Sequence, residues 1–267
     1  MPDIGIQSFG LGDPVVHTSN EYLGGKGAGL VWMDQQGVSV PPGFVLPTTL
    51  WAEYKLKPKT TLKMIECAIE PFMEKLKAHF GYMPLLSVRS GARVSCPGMM
   101  DTILNVGLDS TNEALWTQKL GEVCYTDSLH RLVVMYGSVV KGMDRKELES
   151  VDLNKALSMY QRAQGEPFPM AKAQVINAVE AVLKSWDNER AVFYRKMNNV
   201  PAEWGTACVI QSMVFGNLND NSGTGVLFTR DPDTGDGKIL GEFLVNAQGE
   251  DVVAGIKTPM KLEEMSN

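Results

Sequence analysis

The sequence has no surplus of positive charge: 25 Lys and Arg stand against 31 Asp and Glu, a formal net charge of −6. A nucleic-acid surface needs an excess of Lys and Arg on one face, so the composition argues against that class of partner. Nothing approaches the ~20 consecutive apolar residues that a membrane-crossing helix requires. The opening MPDIGIQSFG has no basic segment leading into an apolar one, so no membrane and a cytoplasmic location are expected. Cysteine is scarce. Cys67, Cys96, Cys124 and Cys208 are widely and irregularly spaced with no Cys-x-x-Cys, which favours reduced thiols over disulfides or a zinc site. Internal repeats and low-complexity linkers are absent as well. What remains is ordinary globular material, 267 residues with 44% apolar and 21% charged, enough for two or three subdomains.

Within it, Leu85 to Leu108 (LLSVRSGARVSCPGMMDTILNVGL) sets a strand, two arginines and a Pro-Gly-Met-Met loop in succession. Leu85, Leu86 and Val88 read as a strand, and Arg89 and Arg93 follow where the chain leaves it. Two planar guanidiniums beside Gly91 and Gly98 suit a polyphosphate, which needs both charge and close backbone approach. Pairing with surface carboxylates is the competing reading. A second segment, Leu23 to Leu30 (LGGKGAGL), places Lys26 among four glycines just before a helical stretch containing Leu30, Val31 and Met33. Free N–H groups at a helix start attract anions, and Lys26 adds a mobile charge. This is not a Walker A loop, because Gly27 stands where a Ser or Thr is required and the G-x-x-x-x-G-K spacing is missing. A flexible turn is the alternative.

Near the C-terminus, Gly205–Gly216, Ser222–Arg230 and Gly241–Gly255 read as successive strands of an antiparallel sheet, with polar connections at Asn217–Ser222 and Asp231–Asp236. Glu250 and Asp251 follow a Gln-Gly turn, where carboxylates either accept ribose hydroxyls or reach a cation, or are merely solvated. Residues 108–172 read as mainly helical and carry no motif of their own; Gly165, Pro167 and Pro169 end that pattern. The fifteen methionines read as core filler, except Met99 and Met100, whose place suggests a lid.

Taken together in this order, these segments resemble the N-terminal nucleotide-binding domain of the pyruvate, phosphate dikinase family, from about Tyr22 to about Pro259. The likeness extends to Val40–Phe44 (VPPGF), Lys184–Asn198 (KSWDNERAVFYRKMN), Glu203–Thr206 (EWGT) and the run ending in Lys257, Thr258 and Pro259. The resemblance implies an α+β fold of the ATP-grasp type. Residues 1–107 and 173–212 would form the first subdomain, 108–172 an inserted helical subdomain, and 213–267 a second, incomplete one. It further implies ATP and Mg²⁺ as cofactors. Lys26 and Arg89 would act on the phosphates with Arg93 beside them, and the loop Cys96–Asp101, with Gly98, Met99, Met100 and Asp101, would close over them. Gln211 and Met213 would lie against the adenine and Glu250 and Asp251 near the ribose, and no metal ligand is assigned. Arg131 is a further phosphate candidate, set against the usual solvated role of a helix-face arginine.

Relative to the family the chain stops at Asn267, before the paired acidic residues and the Gln-x-Arg motif, so a C-terminally truncated domain is expected. His17, His79 and His130 are the only histidines, and none has the Thr-Ser-His setting of the family's phosphoryl acceptor. Three readings follow: the ATP-binding portion of a dikinase-like phosphotransferase, whose missing ligands and acceptor histidine reside on a separate chain or a lost C-terminal extension with the phosphohistidine and pyruvate domains; a non-catalytic nucleotide-binding module; or an interaction module that keeps only the fold.

Overall fold

A computed structural model describes residues 4–253 and 258–265, so Lys257 and Asn267 lie outside the described residues. The chain divides into two compact units, residues 1–114 with 126–213, and 115–125 with 214–267.

The first unit opens with β1 (Gln7–Phe9), α1 (Asn20–Gln35), β2 (Gly43–Leu46), α2 (Thr49–Leu56), α3 (Pro58–Phe80), β3 (Leu86–Gly91) and β4 (Thr102–Val106). After α4 (Glu113–Met135), whose middle belongs to the second unit, come α5 (Arg145–Glu149), α6 (Leu153–Gln164), α7 (Ala171–Ser185), α8 (Glu189–Met197) and β5 (Ala207–Ser212). The five strands form one sheet in the order β1-β2-β5-β3-β4, with every pair antiparallel. The last strand in sequence therefore sits in the middle. All six of its residues are buried, as a strand covered on both faces requires.

Register decides which side chains share a face. Arg89 stands opposite Val209, and Val209 opposite Val45. Val45, Val209, Ala207 and Phe9 pack against Leu23, Ala28 and Val31 of α1. On the other face Phe44 meets Phe72 of α3, ring centroids 5.4 Å apart. Each fully buried Leu, Val or Phe contributes about 1.5–3 kcal/mol, so this double-sided packing holds the sheet. Gln174 on α7 is buried, accepts from Gly107 N (2.8 Å) and donates to Leu108 O and Pro169 O (2.7 Å each), which docks α7 onto the exit from β4. Among the later helices Tyr136, Tyr160 and Phe168 form an aromatic trio with centroids 5.1–6.2 Å apart.

The second unit contains a three-stranded antiparallel sheet of β6 (Gly223–Phe228), β7 (Leu240–Val245) and β8 (Met260–Lys261), with the short α9 (Gly249–Val253) between its last two strands. The expected single sheet through all three C-terminal strand segments is thus corrected. The fully buried β5 belongs between β2 and β3, whereas β6, mostly exposed, pairs with β7 in the separate three-stranded sheet. Two further corrections concern the basic segments. Arg89 lies inside β3, which runs on to Gly91, and the glycines around Lys26 lie within α1, which breaks at Gly24. Helices together with segregated antiparallel sheets are consistent with the expected α+β class. Among the described residues no helix is long and apolar enough to cross a membrane.

Candidate functional site

The end of β3 and the start of α1 touch backbone to backbone. Gly24 has φ 67° and ψ 164°, and a Cβ built there would fall 1.9 Å from Gly91 O. Only glycine allows both the left-handed backbone and the approach. The next residue fixes the contact, Gly25 N donating to Ala92 O at 2.8 Å. Lys26 then donates from Nζ to Ser90 O at 3.0 Å. The glycine run is therefore a helix-to-strand clasp that delivers a lysine to a strand.

Arg89, half-buried on that strand, donates from Nη2 to Gln211 Oε1, and Gln211 is oriented by its own Nε2 bond to Pro41 O at 2.8 Å. The Arg89 Nε has no hydrogen-bond partner among the described residues. Desolvation of the ammonium, and after it the Arg89 guanidinium, hold the Lys26 pKa below the ordinary lysine value. Burial likewise lowers that of Arg89. No carboxylate among the described residues is ion-paired with Lys26, Arg89 or Arg93. Arg93 instead lies over the Trp204 ring at 5.3 Å, with its Nε also unpartnered. Like charges thus gather with no ion-paired carboxylate among the described residues and with donors unused, which is not the arrangement of a surface salt bridge.

The neighbouring loop has defined geometry. Met99 N donates to Cys96 O at 3.3 Å across Pro97 and Gly98, and Gly98 has φ 70°. Pro followed by Gly at positive φ is the sequence of a type II turn. Three side chains of the α8 region hold this loop. Asn188 donates from Nδ2 to Met99 O (3.0 Å) while its Oδ1 caps the helix at Ala191 N (2.7 Å). Arg190 pairs with Asp101 at 3.2 Å, and Tyr194 donates to Ser95 O at 3.1 Å. Burial raises the Asp101 carboxyl against the opposing pull of Arg190, and raises the Cys96 thiol against Arg195 and Lys26. Met100 is half-buried in the same loop.

The structure thus brings Lys26, Arg89 and Gln211 together in the first unit, with Cys96 of the loop close enough to Lys26 for their charges to interact. Met213 lies just past β5, its N donating to Leu85 O and its Sδ accepting from Asn105 N, both at 2.9 Å. Glu250 and Asp251 belong to the second unit, in the first turn of α9; Asp251 is buried and accepts from Gln248 N at 3.0 Å. Arg131 bonds Asp127 one turn earlier on α4 at 2.9 Å. Sequence reasoning missed Ser90, Asn105 and the three loop holders. Asn188, Arg190 and Tyr194 all fall inside the quoted KSWDNERAVFYRKMN segment, and the helix-capping Asn188 within it was the available signal.

A family model described as "Pyruvate phosphate dikinase, AMP/ATP-binding domain" matches residues 56–264. Over 276 residues the chain is 44% identical to pyruvate, phosphate dikinase 1, chloroplastic, of Oryza sativa subsp. japonica, covering 92% of this chain and 29% of the relative. It is 42% identical over 278 residues to pyruvate, phosphate dikinase of Clostridium symbiosum, covering 92% and 32%. With the enzyme of Rhizobium meliloti (strain 1021) the identity is 39% over 292 residues, covering 97% and 32%. The chain spans about 30% of the length of these curated relatives.

Proposed function

The chain belongs to the pyruvate, phosphate dikinase family through its AMP/ATP-binding domain, and from that premise we propose that Lys26, Arg89 and the loop Cys96–Asp101 grip the phosphate chain of ATP. Its role is the ATP-binding portion of a dikinase-like phosphotransferase, with ATP as phosphoryl donor to a histidine on another domain or a separate chain. The observation that carries this reading is the uncompensated cation pair: Lys26 lies close enough to Arg89 for the guanidinium to lower its pKa, and no carboxylate among the described residues is ion-paired with either. A phosphate chain supplies the missing negative charge.

Phosphoryl transfer needs alignment and charge stabilisation more than covalent help from the protein. Arg89, held in plane by Gln211, and Lys26, held by Ser90 O, would meet charge building on the transferring group. Arg93 stands ready on the Trp204 ring, and the Gly98 turn would cover the phosphates from the loop side, with Met99 and Met100 as its apolar cover. The fold is read as the ATP-grasp type, Gln211 and Met213 facing the base side and Glu250 and Asp251 serving as ribose candidates of the second unit. Among the described residues no three His, Cys, Asp or Glu side chains gather as a metal cage. Mg²⁺ needs only one or two carboxylates beside phosphate and water oxygens, and no step is routed through the ion. The pure interaction-module reading is not favoured, since a scaffold has no physical use for clustered cations around a glycine clasp.

Calorimetry with ATP and with tripolyphosphate on the wild type, Lys26→Ala and Arg89→Ala tests the proposal. Loss of a charged hydrogen bond should weaken both ligands by about tenfold or more per substitution. Equal affinity in all three proteins would defeat it. An AMP-forming assay with and without a candidate partner chain addresses the acceptor.

A further inference from the structure

Asn105 is 1% exposed, yet neither its Nδ2 nor its Oδ1 has a hydrogen-bond partner among the described residues. Burying a donor and an acceptor unpaired destabilises the free protein, and the residue also holds a left-handed backbone at φ 58°. Two unfavourable features at one residue point to a use outside folding.

Its place in the sheet suggests what that use is. Leu86 pairs with Val106 and Val88 with Ile103, so Leu104 and Asn105 together oppose the single residue Ser87. Such a bulge re-aims a side chain, and bulges recur beside active sites. Ser87 pairs in turn with Gln211, the partner of Arg89, and the Asn105 N–H bonds the sulfur of Met213. Along β3 the order is therefore the unpaired amide at the level of Ser87, Arg89 two residues on (about 6–7 Å at strand rise), and then Ser90, where Lys26 is bound. Amide at one end and cations at the other match a nucleotide laid along the strand, base first and phosphates last.

We propose that Asn105 reads the adenine base, a role that rests on the ATP reading above: Oδ1 accepts from the exocyclic N6 amine and Nδ2 donates to N7. Asparagine is the donor–acceptor complement of that edge of adenine. Guanine presents two acceptors there, O6 and N7, and leaves Oδ1 facing a lone pair. Asn105 is thus a specificity residue, separate from the groups that hold the phosphates.

The test is calorimetry of the full chain with ATP, 7-deaza-ATP, GTP and tripolyphosphate, on wild type, Asn105→Gly and Asn105→Asp. Glycine suits φ 58° and deletes the amide; Asp keeps an acceptor for N6 and loses the donor to N7. Circular dichroism checks that each variant folds. Wild type should bind ATP about tenfold or more tighter than 7-deaza-ATP or GTP. In Asn105→Gly the ATP/7-deaza-ATP gap should close, with both below the wild-type 7-deaza-ATP level because N6 also loses its acceptor, while tripolyphosphate is unchanged; in Asn105→Asp the gap should close as well. The comparison of ATP with 7-deaza-ATP on the wild type needs no variant to fold. Wild type that binds ATP and 7-deaza-ATP equally, or an Asn105→Gly variant that keeps the gap, overturns the assignment while the ATP reading stands. Failure of the wild type to bind either ATP or tripolyphosphate overturns both.

Discussion

Replacing Gly24 by alanine should break the clasp that delivers Lys26. The new Cβ would lie 1.9 Å from Gly91 O and 2.5 Å from its carbonyl carbon, where real Cβ contacts stay above 3.0 Å. Both obstacles are backbone, so α1 and β3 must part by about 1 Å at this point. An L-residue at φ 67° adds about 1–2 kcal/mol. Stretching the 2.8 Å bond from Gly25 N to Ala92 O adds about 0.5–1.5 kcal/mol. A loss of about 2–3 kcal/mol in a unit of about 200 residues lowers Tm by about 4–12 °C. Lys26, two residues further on, moves away from Ser90 and Arg89, so ATP affinity falls in the same variant. Gly29→Ala is the matched control: it lies in the same helix, has ordinary backbone and nothing within 4 Å of its would-be Cβ. There alanine should stabilise by about 0.5–1 kcal/mol. Thermal unfolding and ATP calorimetry read both effects. A Gly24→Ala protein that melts like wild type and binds ATP equally well would refute the clasp as the device that positions the lysine.

Asn188→Ala removes a helix cap and the hold on Met99 O together, so a stability loss of about 0.5–2 kcal/mol should accompany faster proteolytic cutting in residues 95–101. Arg190→Ala, breaking an ion pair whose arginine side chain is 63% exposed, should leave Tm nearly unchanged. Tyr54→Phe deletes the 2.9 Å bond from a buried phenol to Glu180 and should cost about 1–2 kcal/mol by denaturant titration, with tripolyphosphate binding unaltered. Lys26 holds an anion only as the ammonium, and its pKa lies below the ordinary 10.5. Tripolyphosphate affinity should therefore decline with rising pH starting below that value, and Lys26→Arg should flatten the profile in calorimetry between neutral and alkaline pH. Over the same range folding stability should rise with pH, because the unfolded chain holds that proton more tightly.

How far the sequence could be read differed from residue to residue. The turn at Pro97 and Gly98 was legible because turn chemistry is a local property, and Lys26 and Arg89 stood out by charge type and glycine placement. The neighbour of β3 was not: β5 lies more than a hundred residues downstream, and apolar pattern marks a strand without naming its partner. The same locality explains the misreading at Gly24, where the reason for glycine is the carbonyl of Gly91 rather than a flexible turn. Asn105 gave no signal, since an asparagine in an apolar strand pattern announces neither a bulge nor a burial. The α8 hooks were within reach, because Asn188 is a recognisable cap, but which loop they hold depends on tertiary packing.

The bond from Arg89 to Gln211 closes a separation of 122 residues. On a ribosome adding about 5–20 residues per second, Arg89 waits roughly 6–25 s after its own synthesis before Gln211 exists. Through that interval β3 lacks the strand between itself and β2, and the lysine clasp closes onto an edge rather than an interior. On the proposed site, a nascent chain that ends before β5 should not bind nucleotide however complete its basic loops are, because Arg89 then lacks both Gln211 and its central strand.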